Sequence, residues 1–261
     1  MKIACIQMDV RLGRPDENFA RAQEQIRRAA ACGADTVLLP EVWNTGFFPK
    51  EGLEQLADAG AQRTKAMLRD LSRELGVCIV GGSVAEFRSG AVRNTAYVFG
   101  ADGREAARYE KTHLFTPMGE DRYFRAGDAV CVFALGGVRC GVVICYDLRF
   151  PELIRTLALQ GIELLFVPAQ WPAARLPHWQ TLTRARAIEN QLFVACCNGC
   201  GAAGETRFGG GSAIYDPWGN ALAAAQGEET TIFADCDFSA VAEIRGSIDV
   251  FRDRRPELYR I

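Results

Sequence analysis

A cysteine at the end of an apolar run is the residue best placed for covalent chemistry. In Val142-Val143-Ile144-Cys145-Tyr146-Asp147-Leu148-Arg149-Phe150-Pro151-Glu152 a strand-like stretch ends at Cys145, a short turn follows, and a helix begins near Pro151. A nucleophile at such a junction is exposed at a strand end, and N–H groups at the helix start stabilise a thiolate or an oxyanion. The alternative is one more buried cysteine among the ten in the chain. A cysteine nucleophile needs a base. The chain has two histidines, His113 and His178, and either fits by type. A carboxylate can serve instead. Glu41 follows Thr36-Val37-Leu38-Leu39-Pro40 and so lies at a strand's C-terminal end, where open α/β sheets place their ligand sites. Lys111 opens a mixed loop, Thr112 to Gly119. A lysine near a thiolate lowers the thiol pKa and can donate to an oxyanion. A solvated surface Glu or Lys is the ordinary alternative for both.

Other chemistries find little support. Cys197-Asn198-Gly199-Cys200 has C-x-x-C spacing but no second pair, and two histidines with scattered cysteines do not make a zinc site. Gly209-Gly210-Gly211-Ser212 lacks a phosphate cradle and Gly81-Gly82-Ser83 lacks a dinucleotide frame, so no cofactor is expected. Thirty basic residues against 32 acidic ones leave a net charge of −2, which argues against nucleic acid or an anionic membrane as partner.

The elements that must position these residues are short β-branched runs: Ile3–Met8, Thr36–Leu39, Val77–Val80, Ala96–Phe99, Val138–Ile144, Leu164–Val167, Leu192–Cys196 and Thr231–Ala234. Helical patterns lie between them at Asp16–Ala31, Leu53–Leu75, Glu152–Leu159 and Leu176–Gln191. The alternation predicts an α/β layered domain over residues 1–261. No run reaches the ~20 apolar residues of a membrane span, and the N-terminus does not read as a secretory signal. Cysteines set inside apolar runs such as Val130-Cys131-Val132-Phe133 behave as small hydrophobes, which suits a reduced, cytoplasmic protein.

Taken together, Leu39-Pro40-Glu41-Val42-Trp43, Lys111-Thr112-His113-Leu114-Phe115 and Ile144-Cys145-Tyr146-Asp147-Leu148-Arg149-Phe150-Pro151-Glu152 resemble the three signatures of the nitrilase superfamily of carbon–nitrogen hydrolases. Further stretches are similar in family order: the opening Ile3–Met8, the loop Gly119-Glu120-Asp121-Arg122-Tyr123-Phe124, the helix Arg184–Asn190, and Gly211-Ser212 with Asp216-Pro217-Trp218-Gly219. The resemblance implies a four-layer αββα sandwich with no metal or organic cofactor. It implies a Glu-Lys-Cys triad at Glu41, Lys111 and Cys145, with Glu120 positioning the substrate or supporting the lysine. It also implies a homodimer, or a higher homo-oligomer, paired through helices.

Cys145–Glu152, Ala169-Gln170-Trp171-Pro172 and His178-Trp179 look like the omega-amidase branch, which hydrolyses the terminal amide of 2-oxoglutaramate and 2-oxosuccinamate. Neighbouring branches cleave other aliphatic amides or N-carbamoyl compounds with the same triad, and a catalytically dead binding protein on the same fold is the reading from another class. A carboxylate-bearing substrate needs a cation or several N–H donors. Arg149 and Arg175 lie in or near the recognised segments. Arg149 has two readings, a carboxylate ligand or an ion pair with Asp147 or Glu152. Phe47, Phe115, Tyr146 and Trp171 are expected as pocket walls, with core packing as the alternative for each.

Overall fold

A computed structural model describes residues 1–47, 49 and 51–259. Its order of layers is helix, sheet, sheet, helix. In the nine-stranded sheet the order runs Thr230–Asp235, Lys2–Gln7, Thr36–Leu38, Cys78–Val80, Ala91–Phe99, Val84–Arg88, Asp58–Ala59, with Glu105–Glu110 and Phe124–Arg125 also paired to Ala91–Phe99. The six-stranded sheet runs Ala221–Ala224, Ala213–Tyr215, Phe193–Asn198, Leu164–Ala169, Val138–Val142, Val132–Leu135. Each sheet has a parallel trio at its centre: Lys2–Gln7, Thr36–Leu38 and Cys78–Val80 in one, Val138–Val142, Leu164–Ala169 and Phe193–Asn198 in the other.

These central strands are buried on both faces, which explains their near-continuous apolar sequence. The period of two then sorts the residues. Ile3 and Cys5 face the other sheet and pack with Leu38, Val80, Cys140, Val142 and Cys197. Ala4 and Ile6 face outward, against Phe19, Ala22 and Ile26 of helix Pro15–Ala31 and Leu68 and Leu71 of helix Gln62–Leu75. On the far side, Ile154 and Leu157 of helix Pro151–Leu159 and Trp179 and Ala187 of helix Leu176–Asn190 cover the second sheet. The four-layer αββα sandwich implied by the sequence is therefore the fold. No helix among the described residues is long and apolar enough to cross a membrane.

One expected element is corrected. Leu53–Leu75, read as a single helix, is two, Leu53–Leu56 and Gln62–Leu75. Between them Asp58–Ala59 pairs with Val84–Arg88, and Gly60 and Ala61 turn the chain at φ +58° and +50°. The Asp58 carboxylate accepts from the N–H groups of Arg63 and Thr64, at 3.2 and 2.7 Å, and so caps the second helix. The composition is helical, but a capping aspartate and a glycine interrupt it.

The site residues sit at strand C-terminal ends. Glu41 follows Thr36–Leu38, and Lys111 directly follows Glu105–Glu110, both in the larger sheet. Cys145 follows Val138–Val142 of the smaller one.

Candidate active site

Lys111 is the centre of a buried ionic cluster. Its Nζ donates to Glu41 Oε1 at 2.7 Å and to Glu120 Oε1 and Oε2 at 3.0 and 2.8 Å. All three side chains are fully buried. Isolated buried charges would be prohibitive, so each remaining oxygen needs a donor. The Asn94 Nδ2 supplies one to Glu41 Oε1 (2.8 Å) and one to Glu120 Oε1 (3.2 Å). The backbone N–H of Gln170 reaches Glu41 Oε2 at 2.9 Å, and that of Phe115 reaches Glu120 Oε2 at 2.6 Å. Glu41 is thereby tied to both sheets.

Cys145 opens a 3₁₀ turn, Cys145–Arg149, with its backbone in the left-handed region at φ +49°. Such a conformation persists in a non-glycine residue only when its surroundings enforce it. Asp147, fully buried, does so. Its Oδ2 accepts from the Ile144 N–H (2.9 Å) and the Tyr109 hydroxyl (2.8 Å). Its Oδ1 accepts from the His113 N–H and the Thr112 hydroxyl, both 2.9 Å away, and lies 2.9 Å from His113 Nδ1. One carboxylate thus clasps the segment after Lys111 to the turn that carries Cys145. Neither histidine serves Cys145: His113 is held by Asp147, and His178 Nδ1 lies 3.4 Å from Arg149.

The charges set the protonation states. Burial would push Lys111 down, but the carboxylates of Glu120 and Glu41 overturn it and hold the ammonium well above its usual range. Burial pushes Glu120 up, against the pull of Lys111. Burial also pushes the Cys145 thiol up, the charge of Glu41 and a hydrogen bond to it add to this, and Lys111 opposes it. The Cys145 sulfur is therefore biased toward its thiol form beside a carboxylate. A nucleophile so placed can attack an electrophilic carbon while its proton passes to Glu41, with a fixed cation beside it.

A cavity over Cys145 encloses about 260 Å³, counting the part that opens to solvent. Phe47, Phe115, Tyr146, Trp171 and Arg149, all proposed from sequence, line it together. Phe115 and Tyr146 pack with ring centroids 4.9 Å apart, and Phe47 meets Phe208 edge to face at 5.8 Å. The ion pair considered for Arg149 is absent among the described residues. Asp147 is turned inward to its own donors, and the Arg149 guanidinium lies over the Trp171 ring, 4.6 Å from its centroid.

Comparison with known proteins identifies the family. Residues 2–246 match the family described as carbon-nitrogen hydrolase. The chain belongs to the carbon-nitrogen hydrolase family. It is 42% identical to a 2-oxoglutaramate amidase of Bacillus subtilis (strain 168), over 98% of each chain. It is 35% identical to omega-amidase NIT2 of Homo sapiens, covering all of this chain and 97% of that one. Among solved structures, the CN-hydrolase superfamily protein XC1258 of Xanthomonas campestris superposes with a TM-score of 0.91 at 30% identity, over 98% of this chain and 97% of the other.

Three polar residues of this carbon-nitrogen hydrolase site were not found by reading the sequence. Asn94 sits mid-strand in Ala91–Phe99 with no local motif, and only the pairing of that strand puts its amide between two glutamates. Asp147 was visible, but as a partner for Arg149. Gln170 looked like part of a word rather than a side chain with its own task. The Cys197/Cys200 pair is core: both thiols are buried and free, and Cys197 donates to the Ile6 carbonyl at 3.0 Å.

Proposed function

We propose that the chain is an omega-amidase-like enzyme. It hydrolyses the terminal amide of a small carboxylate-bearing 2-oxo acid, of the 2-oxoglutaramate or 2-oxosuccinamate type, to acid and ammonia. The observation that carries this reading is the buried cluster in which Lys111 binds Glu41 and Glu120, with the Cys145 thiol in the field of both Glu41 and Lys111. The names of the two enzyme relatives support the choice of amide.

In this reading Cys145 Sγ attacks the amide carbon as its proton passes to Glu41. The carbonyl oxygen becomes an oxyanion held by Lys111 Nζ and the backbone N–H of Tyr146. Removal of one such donor typically raises a barrier by ~3–4 kcal/mol. Glu41 returns the proton to the amide nitrogen, the C–N bond breaks, and ammonia leaves a thioester on Cys145. Glu41 then takes a proton from water, the hydroxide attacks the thioester, and the acid departs as Cys145 is reprotonated. Glu120 does not touch the reacting atoms; it holds Lys111 in place and offsets its charge. The aromatic residues form the walls, and Arg149 faces the substrate carboxylate.

The whole of residues 1–261 is read as one domain, supported by the family match over 2–246. Ten free thiols support a reducing compartment such as the cytoplasm. Exposed Ile188, Trp218 and Leu222, on or near helix Leu176–Asn190, support pairing of two copies there.

The test is ammonia release from 2-oxoglutaramate beside glutamine, an aliphatic amide, a nitrile and an N-carbamoyl amino acid, with Cys145→Ala as control. A preference for 2-oxoglutaramate that vanishes in Cys145→Ala is expected. Preference for another member of the panel overturns the substrate; full activity in Cys145→Ala overturns the triad.

A further inference from the structure

We infer that Gln170 and Arg175 recognise the 2-oxo acid end of the substrate. In this assignment Arg175 joins Arg149 on the carboxylate, and Gln170 donates its side-chain N–H to the 2-oxo oxygen. The inference rests on the amidase reading above and assigns the residues that would choose its substrate.

Gln170 is the unusual residue. It is 1% exposed, yet neither Nε2 nor Oε1 of its side chain has a hydrogen-bond partner among the described residues. Its backbone N–H is engaged by Glu41. Native proteins pair nearly all buried polar groups, so an amide unpaired at both ends needs an explanation. Its position offers one: Gln170 is among the residues that line the same cavity as Cys145. The fold also makes room for it. A Cβ at Gly199 would lie 2.3 Å from Gln170 Oε1 and 2.7 Å from its Cδ, so only glycine there lets the amide lie where it does.

The two arginines supply the charge. Arg149 and Arg175 both line the cavity, and neither has an ion-pair partner among the described residues. Each guanidinium is seated on an aromatic ring, Arg149 on Trp171 at 4.6 Å and Arg175 on Phe115 at 5.5 Å. A ring face holds a cation in place without neutralising it. Burial is the first cause that lowers the pKa of Arg149, and the like charge of Arg175 adds to it. Two fixed, uncompensated cations above a nucleophile are a site for an anion.

Together these groups discriminate at the carbon next to the carboxylate. A 2-oxo group offers Gln170 an acceptor. A 2-ammonium group could donate to Gln170 Oε1, but it would place a third cation beside two arginines. A terminal amide without a carboxylate leaves the cations uncompensated. The site should therefore separate a 2-oxo acid amide from glutamine, which shares its length.

Binding isolates this from turnover. In the inert Cys145→Ala background, calorimetry gives Kd for 2-oxoglutaramate and for glutaramate, which lacks the 2-oxo oxygen. Arg175→Gln is expected to raise both values at least tenfold, with Arg175→Lys recovering part of the loss. Gln170→Leu is expected to raise Kd for 2-oxoglutaramate about tenfold, to near that of glutaramate, while glutaramate moves less than twofold. Gly199→Ala should reproduce the Gln170→Leu pattern by displacing the amide. Unchanged Kd values in folded Arg175→Gln, or equal losses on both ligands in Gln170→Leu, would overturn the assignment. If the native enzyme hydrolyses 2-oxoglutaramate but the variants bind it normally, the assignment fails and the amidase reading stands. If Cys145→Ala binds it through these residues and the native enzyme leaves it intact, the reverse holds. Absence of both binding and turnover sinks the two together.

Discussion

Replacing Asp147 with asparagine keeps the shape of the clasp and removes one of its two acceptors. The carboxylate receives three donors on Oδ1, counting the His113 ring, and two on Oδ2. The least damaging asparagine rotamer leaves its oxygen with the Thr112 and His113 donors and turns its NH₂ toward Ile144 and Tyr109. The Tyr109 hydroxyl can rotate and accept; the Ile144 N–H cannot, and meets another donor inside a dry core. A lost hydrogen bond to a charged acceptor is worth about 1.5–3 kcal/mol, and weakening those from the Thr112 hydroxyl and the His113 backbone N–H from charged to neutral adds about 1 kcal/mol each. A total near 4 kcal/mol follows by that scale. For a chain of this size it corresponds to a fall in Tm of about 8–16 °C. The freed Ile144 also releases Cys145 from φ +49°, so kcat should fall at least tenfold at a temperature where the variant remains folded. Thermal denaturation by circular dichroism and ammonia release at 20–25 °C below the new Tm read the two effects separately. A variant within 2 °C of native Tm that also keeps native kcat would refute the claim that Asp147 enforces the turn.

The remaining predictions concern the cluster and its frame. Glu41→Gln should slow both thioester formation and its hydrolysis; a normal pre-steady-state burst with unchanged turnover would contradict the single-carboxylate mechanism. Because burial and then Glu41 raise the Cys145 thiol, its alkylation by iodoacetamide should keep climbing with pH above the ordinary thiol midpoint of about 8.5. In Glu41→Gln the negative charge is gone, so that profile should move to lower pH; a shift upward or none would oppose the assignment. Labelling must be read at Cys145 itself, or in a Cys32→Ser background, since Cys32 is exposed. Gly82→Ala should lower stability by about 2–4 kcal/mol, because φ is +60° there and a Cβ would lie 2.0 Å from the Pro40 carbonyl oxygen, next to Glu41. Native Tm in that variant would show that the Pro40 segment yields freely.

How much of this was legible in the sequence depends on how local each signal is. Cys145 announces itself by an apolar run, a turn and Pro151, and Glu41 by the run that ends at Pro40. The central strands declare themselves because burial on both faces leaves them almost wholly apolar. Glu105–Glu110 does not, since three of its six residues carry charge and it lies largely exposed beside Ala91–Phe99. Side-chain direction is the least visible quantity. Asp147 and Arg149 are two residues apart and of opposite sign, so an ion pair is the natural reading; a tight 3₁₀ turn points one inward and the other over Trp171. Asn94 and Gln170 acquire their roles only when strands distant in sequence come together.

The attachment of Glu41 to both sheets has a mechanical consequence. Its side chain hangs from the larger sheet, while its Oε2 is bound by the Gln170 N–H at the end of Leu164–Ala169 in the smaller one. One residue of slip between sheets is a displacement of ~3.3 Å. Catalytic geometry tolerates well under an ångström. The triad therefore works as a vernier for the alignment of the two halves of the sandwich. Creep between the sheets, under mild denaturant or heat, would silence turnover while every strand and helix is still intact, so inactivation should precede loss of the circular dichroism signal.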